Sequence, residues 1–529
     1  MTSLYALVFF FLAFGYTSSG VVELVGERGM VARDSSWALT LAYSGLAAFG
    51  GVITTMIAAT AVLRDSAMRV LPLVATTGLT PRVWLVSRAL AAAVVTAAVY
   101  SAIPLGAVAG SLVSSPGATF TSAALSRHLV PFLSVTLPVM LCIAAILVAV
   151  GATTRRVLAV LIAALVLVML WQLSLALVAT PRNALLGAWI DPFANAPVLL
   201  QSDGWSTAER AVRRVRFDAA MAVNRLVWFL VAVVAMAFAL ARAKWPSPSV
   251  SPPEPSPVRV ATESVGGRST PFAALRRTTM AWVANDGGWR IVSALAFLNA
   301  TLNAAMRSAV GTPGQGVGAG SLAAYCALVA DHSRIFVILL ATVYAGELLW
   351  RERELRISAL IDSTPVTTRA IAAGRVAGLA VAQLRVVGAL VLAAVVVFVL
   401  RGEPSIGAMA HDGSLLLAWS VFVVWLPFAQ LTILALAVHA LLQHKVLAHL
   451  LIILGWVLAV TLDRQGADGW WYRFAEPAVL VVPSANTHAA VAWGALAQRA
   501  AYWSAVCGAL VWFILKAWPR GTGSRRKRR

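Results

Sequence analysis

Long apolar runs alternate with short polar stretches along the whole chain. A membrane-crossing helix needs about 20 mostly apolar residues. That measure places spans near 3–19, 37–62, 86–112, 129–151, 157–179, 225–242, 291–309, 334–350, 376–400, 415–440, 446–462 and 501–518. The pattern predicts an all-α polytopic membrane protein with about twelve transmembrane helices.

One polar stretch differs from the rest. Between two apolar runs stands ELLWRERELRISALIDSTPVTTRAIAAGR, from Glu347 to Arg375. Glu347/Arg351 and Glu352/Arg356 are spaced i,i+4, so each pair shares a helical face. Glu354 and Asp362 add further acid before the Pro365 break, and Arg369 and Arg375 lead into the next apolar run. The spacing predicts a helix–turn element on the cytoplasmic side.

An earlier stretch repeats it. Arg64, Asp65, Arg69, Arg82 and Arg88 fall on Arg351, Glu352, Arg356, Arg369 and Arg375 at a constant offset of 287 (351 − 64). Thr77 and Thr80 fall on Thr364 and Thr367. A second parallel follows: Leu137-Pro138 and Val157-Leu158-Ala159 against Leu426-Pro427 and Val446-Leu447-Ala448. The chain is therefore expected to hold two parallel six-helix units. Residues 1–245 form the first, 246–270 a Pro/Ser-rich cytoplasmic linker, 271–520 the second, and 521–529 a basic cytoplasmic tail. The second unit opens with an amphipathic helix over 271–290, expected to lie on the inner surface. The first unit begins past the place where a copy of that helix would stand. Its first span has no basic leader and aligns with the seventh, so it is expected to stay attached rather than be cleaved.

Loop charge orients the chain. Loop 63–85, Arg155-Arg156 and His444-Lys445 are basic and expected inside, and 20–36 is balanced and expected outside. Segments 180–224 and 463–500 become outer loops, with Asp191-Pro192 echoed by Glu476-Pro477. Arg210, Arg213, Arg214 and Arg216 sit awkwardly on that side; Val212, Val215 and Ala219 suggest an interfacial helix to carry them.

Composition agrees with this picture. The chain has 529 residues, 60% of them hydrophobic and only 12% charged, with net charge +21. Its basic residues serve to hold loops at the membrane rather than to bind nucleic acid, because no soluble basic stripe carries interleaved aromatics. Cys142, Cys326 and Cys507 have no ligand spacing. No phosphate-cradling loop or zinc motif is present, so no cofactor or metal is expected on this chain and no catalysis of its own. Asn299, Asn303, Gln383 and Arg385 lie within spans. They form a candidate polar path, or else interhelical hydrogen bonds and snorkelling ends.

On GELLWRERELRISALIDSTP (346–365), IDPFAN (190–195) and NRLVWF (224–229), the chain resembles bacterial ABC-2 type, type V exporter-like, permease subunits. The resemblance is to the two-repeat form related to permeases found fused to M1-type aminopeptidases, and it covers nearly the whole chain. It implies the membrane subunit of an ATP-driven exporter in the bacterial inner membrane. Two copies of a separate ATP-binding subunit, carrying ATP and magnesium, would dock on coupling helices at 64–85 and 351–372. The cargo route would run between the units, near the second and fifth spans of each. An apolar interior favours amphipathic or lipid-like cargo. Two other readings compete: a non-transporting ABC-like complex that assists envelope-protein maturation or signalling, and a secondary transporter. The parallel repeat and the near absence of mid-span carboxylates weigh against the last.

Overall fold

The structure, a computed structural model, describes residues 2–19, 21–23, 30–68, 70–114, 121–245, 270–307, 322–355, 357–401, 413, 415–442, 444–464, 469–471, 474, 481–482 and 490–517. The expected linker, apart from Thr270, and the basic tail fall outside the described residues, as do Arg69, Arg356 and half of 463–500. The chain divides into two compact units, Met1–Val258 and Arg259–Arg529. Among the described residues each is almost wholly helical, apart from small antiparallel pairs such as Val21–Glu23 with Met30–Ala32.

Eight helical segments among the described residues are long and apolar enough to cross a membrane. Four more helices stand where the hydropathy pattern puts its remaining spans: Thr2–Ser18, Gly287–Arg307, Lys445–Arg464 and Trp493–Ala517. The first is 17 residues and so falls short in length.

Several helices outrun their apolar stretches. Ser36–Ala67 has 32 residues, Leu322–Glu354 has 33 and Thr368–Arg401 has 34. At 1.5 Å per residue these reach about 50 Å, well beyond the roughly 30 Å of hydrocarbon in a bilayer. The charged residues continue the helix instead of ending it, because Arg and Glu are good helix formers.

In the first unit, Leu137–Thr154 is packed on several sides. It meets Ser36–Ala67, Ala219–Ala241, Pro81–Tyr100 and Val157–Val178. Gly151 lets it close on its neighbours: a Cβ there would stand 2.7 Å from a Val62 methyl. In the second unit Leu426–Leu442 touches Leu322–Glu354, Lys445–Arg464 and Trp493–Ala517. Both helices follow a π-helical turn, Phe132–Thr136 and Trp419–Trp425, in which the N–H of Leu137 or Leu426 reaches back five residues. Pro138 and Pro427 come next. A proline has no N–H to give and crowds the carbonyl four residues before it, so a widened turn accommodates it.

Two pairs of glycines bring helices close. A Cβ on Gly106 would lie 2.1 Å from the Phe10 carbonyl oxygen, and one on Gly110 would meet the Thr17 hydroxyl at 2.1 Å. Thr17 donates to the Ala107 carbonyl across that contact at 2.9 Å. In the second unit, Gly374 and Gly378 receive helix Pro271–Asn285, whose Arg276 carbonyl would stand 2.7 Å from a Cβ on Gly378. Small residues four apart allow such backbone approach.

Three sequence expectations change. The 271–290 helix ends at Asn285, and Asp286 caps the next helix by accepting from the Trp289 N–H at 3.1 Å. The 86–112 span lies in one membrane-length segment, Pro81–Ser114, but its helix is interrupted at Ser101, three residues before Pro104, which cannot donate to the Tyr100 carbonyl. The expected helix through Val212, Val215 and Ala219 does not form. Thr207–Val212 is a single short turn, and 213–218 is non-helical.

Candidate functional site

The charged junctions are built alike in the two units. Ser36–Ala67 is followed by a five-residue helix, Leu71–Ala75, and then by Pro81–Tyr100. Leu322–Glu354 is followed by Ser358–Asp362 and then by Thr368–Arg401. The short helices stand at the 287 offset from end to end.

The backbone bonds recur at the same offset. Met68 N–H donates to Arg64 and Val70 N–H to Asp65; Leu355 and Ile357 do the same to Arg351 and Glu352, all at 2.9 Å. The Thr77 and Thr364 hydroxyls donate to the carbonyls of Val74 and Ile361, at 2.7 and 2.6 Å. The Thr80 and Thr367 side chains accept from Val83 and Ala370 N–H, each at 3.3 Å, and open the helix that follows. A hydroxyl at this position satisfies one of the free N–H groups of a first turn.

An ion pair ties each junction across its two long helices. Arg88 bonds Asp65, and Arg375 bonds Glu352. These partners are 23 residues apart in both units. Asp65 also accepts from the Trp84 indole N–H at 3.2 Å. The Glu347/Arg351 pairing expected from sequence gives way here, while Arg69 and Arg356 lie outside the described residues. Glu352 faces the helix that returns, and Arg351 lies over the Trp282 ring at 4.2 Å rather than on Glu347. Glu347 instead shares Lys445 with Glu354, at 2.6 and 2.9 Å. Burial works against the Lys445 ammonium, but the two carboxylates outweigh it and hold its pKa above the ordinary lysine value.

Each short helix turns a leucine outward at the same position. Leu73 is 68% exposed and Leu360 is 72% exposed. Asp362 closes the second short helix, and Arg82 and Arg369 lie in the first turns of the helices that follow. Beside the second junction a cleft of about 250 Å³ opens between helix Pro271–Asn285 and the Leu322–Glu354 end, with Trp282, Arg351, Glu352 and Leu355 in its wall.

The candidate polar path separates into independent contacts. Asn299 donates to the His332 carbonyl at 2.9 Å, and Asn303 donates back to Asn299 at 2.9 and 3.1 Å. Gln383 donates to Thr432 at 2.7 Å. All three are fully buried, whereas Arg385 is exposed on another face of its helix. Asn299 and Gln383 bond across helices, and Asn303 bonds within its own.

A second polar knot joins two motifs that lie apart in sequence. Asn224 is fully buried and donates to the carbonyls of Ala188, Trp189 and Asp191, at 2.7, 3.2 and 2.9 Å. The Asp191 carboxylate accepts from Phe193 and Ala196 N–H, at 2.8 and 2.6 Å. Burial pushes the Asp191 pKa up to about 6, against those two bonds and the nearby Arg225 charge. The arginines that follow are accommodated on aromatic faces: Arg210 lies over Trp37, and Arg213 over Trp205 and against Glu209.

No family model, curated protein or solved structure matches the chain. Its function has to be argued from this geometry. Among the described residues no cluster of histidine, cysteine or carboxylate side chains could hold a metal ion. Sequence reading missed Trp84, Trp282 and Lys445 as partners at the junctions. It also passed over Leu73 and Leu360, although a leucine kept at one offset inside a polar stretch is a visible signal.

Proposed function

We propose that this chain is the transmembrane permease subunit of an ATP-driven exporter of the ABC-2 type, placed in a bacterial inner membrane. In this reading it has about twelve spans arranged as two parallel six-helix repeats. Separate ATP-binding subunits dock at the two junctions. The observation that carries the reading is the duplicated junction: short helix, threonine caps, outward leucine and cross-helix ion pair, each found twice at one offset. A loop needed only to orient the chain requires basic charge, not two copies of one side-chain arrangement.

The geometry suits a lever. Each short helix is tied to two membrane-length helices, and the ion pair fixes the angle between them. Force applied at Leu73 or Leu360 is then passed to a pair of spans as a unit rather than absorbed in a loop. ATP hydrolysis belongs to the partner, and this chain supplies no catalytic group.

The test is affinity purification of the tagged chain from its native membrane, with mass spectrometry of what accompanies it. Leu73→Asp and Leu360→Asp are run beside the parent chain, because both leucines are exposed and their loss leaves the ion pairs intact. An ATP-binding subunit that accompanies the parent and is lost from the double variant supports the proposal. Its absence from the parent in mild detergent sinks it.

A further inference from the structure

Helix Leu322–Glu354 carries charge at two levels. Asp331 and Arg334 lie 21 and 18 residues before Glu352 (352 − 331, 352 − 334), about 32 and 27 Å along the axis. A bilayer's hydrocarbon region is about 30 Å thick. With the junction at one face of the membrane, this pair stands at the headgroup level of the other.

Asp331 and Arg334 share a helix face, being three residues apart. Both are exposed, and neither bonds a described residue. They open onto a cleft of about 270 Å³ whose wall then turns apolar, with Val337 and Leu431, and with Trp456 and Phe474 also lining it. At the same offset the first unit has Ser44 and Ala47 (331 − 287, 334 − 287). Ser44 is fully buried there and donates to Asn195 at 2.5 Å. The packing of this helix therefore does not call for the two charges. They are particular to the second unit and sit where packing leaves them unmet.

We propose that this cleft binds a zwitterionic phospholipid with a primary-ammonium headgroup, of the phosphatidylethanolamine kind. Its phosphate lies on the Arg334 guanidinium, a fork that suits phosphate oxygens. Its ammonium lies on Asp331, and one acyl chain follows Val337 and Leu431 inward. A purely anionic lipid satisfies Arg334 but leaves Asp331 facing like charge. A trimethylated headgroup has no N–H to give to Asp331. The inference rests on the multi-pass reading alone and needs no ATP-binding partner.

The experiment is native mass spectrometry of the detergent-solubilised full chain, titrated with phosphatidylethanolamine, phosphatidylcholine and phosphatidylglycerol of identical acyl chains. The first bound phosphatidylethanolamine is expected to be favoured by about tenfold, the scale of one charge-assisted contact. Asp331→Asn is expected to bring phosphatidylethanolamine down to the level of the other two. Arg334→Gln weakens all three lipids. Val337→Trp fills the apolar wall and also weakens all three, without touching charge. Arg385→Gln, on an exposed face of a different helix, leaves the titration unchanged, and thermal unfolding confirms that each variant is folded. Equal binding of the three lipids by the parent chain overturns the proposal. So does a preference for phosphatidylglycerol, or phosphatidylethanolamine binding that survives both charge variants.

Discussion

The second ion pair is the sharper test of how the junctions hold together. Arg375 is only 7% exposed, and besides Glu352 it has a long contact to the Leu348 carbonyl at 3.5 Å. Glu352→Gln takes the carboxylate away from a buried guanidinium. Breaking a buried pair in this way costs about 3–5 kcal/mol, and the partly exposed Glu352 brings the expectation to about 2–3. In the first unit the Arg88 side chain is 37% exposed and can turn to water. Asp65→Asn should therefore cost only about 1 kcal/mol, toward the value of an exposed pair. Amide exchange of the peptides across each junction reads the difference. Two kcal/mol corresponds to about thirtyfold loss of protection and one to about fivefold. Glu352→Gln combined with Arg375→Met should recover part of the loss, because no lone buried charge remains. Equal effects in the two units, or a double variant worse than Glu352→Gln alone, would refute the reasoning.

Other expectations follow from the packing. Gly378→Ala should destabilise the second unit by about 1–3 kcal/mol in thermal unfolding, because its Cβ collides with backbone; Gly388→Ala, with open space around it, should not. Asn224→Leu leaves three carbonyls short of a donor, and limited proteolysis should then cut more readily within 184–218. Asp191 is harder to ionise when folded than when unfolded, so the folded segment holds the extra proton between about pH 4 and pH 6. Its contribution to stability is greatest below that window, falls as pH rises through it and is flat above. Amide exchange of 190–201, corrected for intrinsic rates, should show less protection at pH 8 than at pH 5; the opposite order would contradict the burial argument.

Much of the helical architecture was legible because apolar length is a strong local signal. The apolar runs mark where most of the helices lie, and the constant offset picks out the junctions before any contact is known. What the pattern could not supply is pairing across distance. Glu347 and Arg351 look like partners because a helix puts i and i+4 together, yet Glu347 bonds Lys445 from 98 residues away. The arginines that reach Asp65 and Glu352 come from 23 residues away, after a turn whose geometry depends on the caps and the short helix. Arg385 and Gln383 are two positions apart and looked like one polar path, yet a helix turns them to different faces. The awkward arginines of 213–216 were misread as helical because Val212 and Val215 have the right spacing, whereas Arg210 does lie in the short helix Thr207–Val212. Val212 is 80% exposed, so no apolar surface rewards continuing the helix. Asn224 and IDPFAN were visible as motifs, but their union depends on how Ala219–Ala241 packs against Ala184–Ile190.

The central claim is that one kind of partner docks on both junctions. Photo-crosslinking in the native membrane tests it most directly, with a crosslinking amino acid placed in turn at Leu73, at Leu360 and, as a control, at the exposed Trp512. The account predicts that Leu73 and Leu360 each capture the same protein, that this protein carries a phosphate-binding loop, and that Trp512 does not capture it. Capture of unrelated proteins at the two leucines, or of none at either, would contradict it.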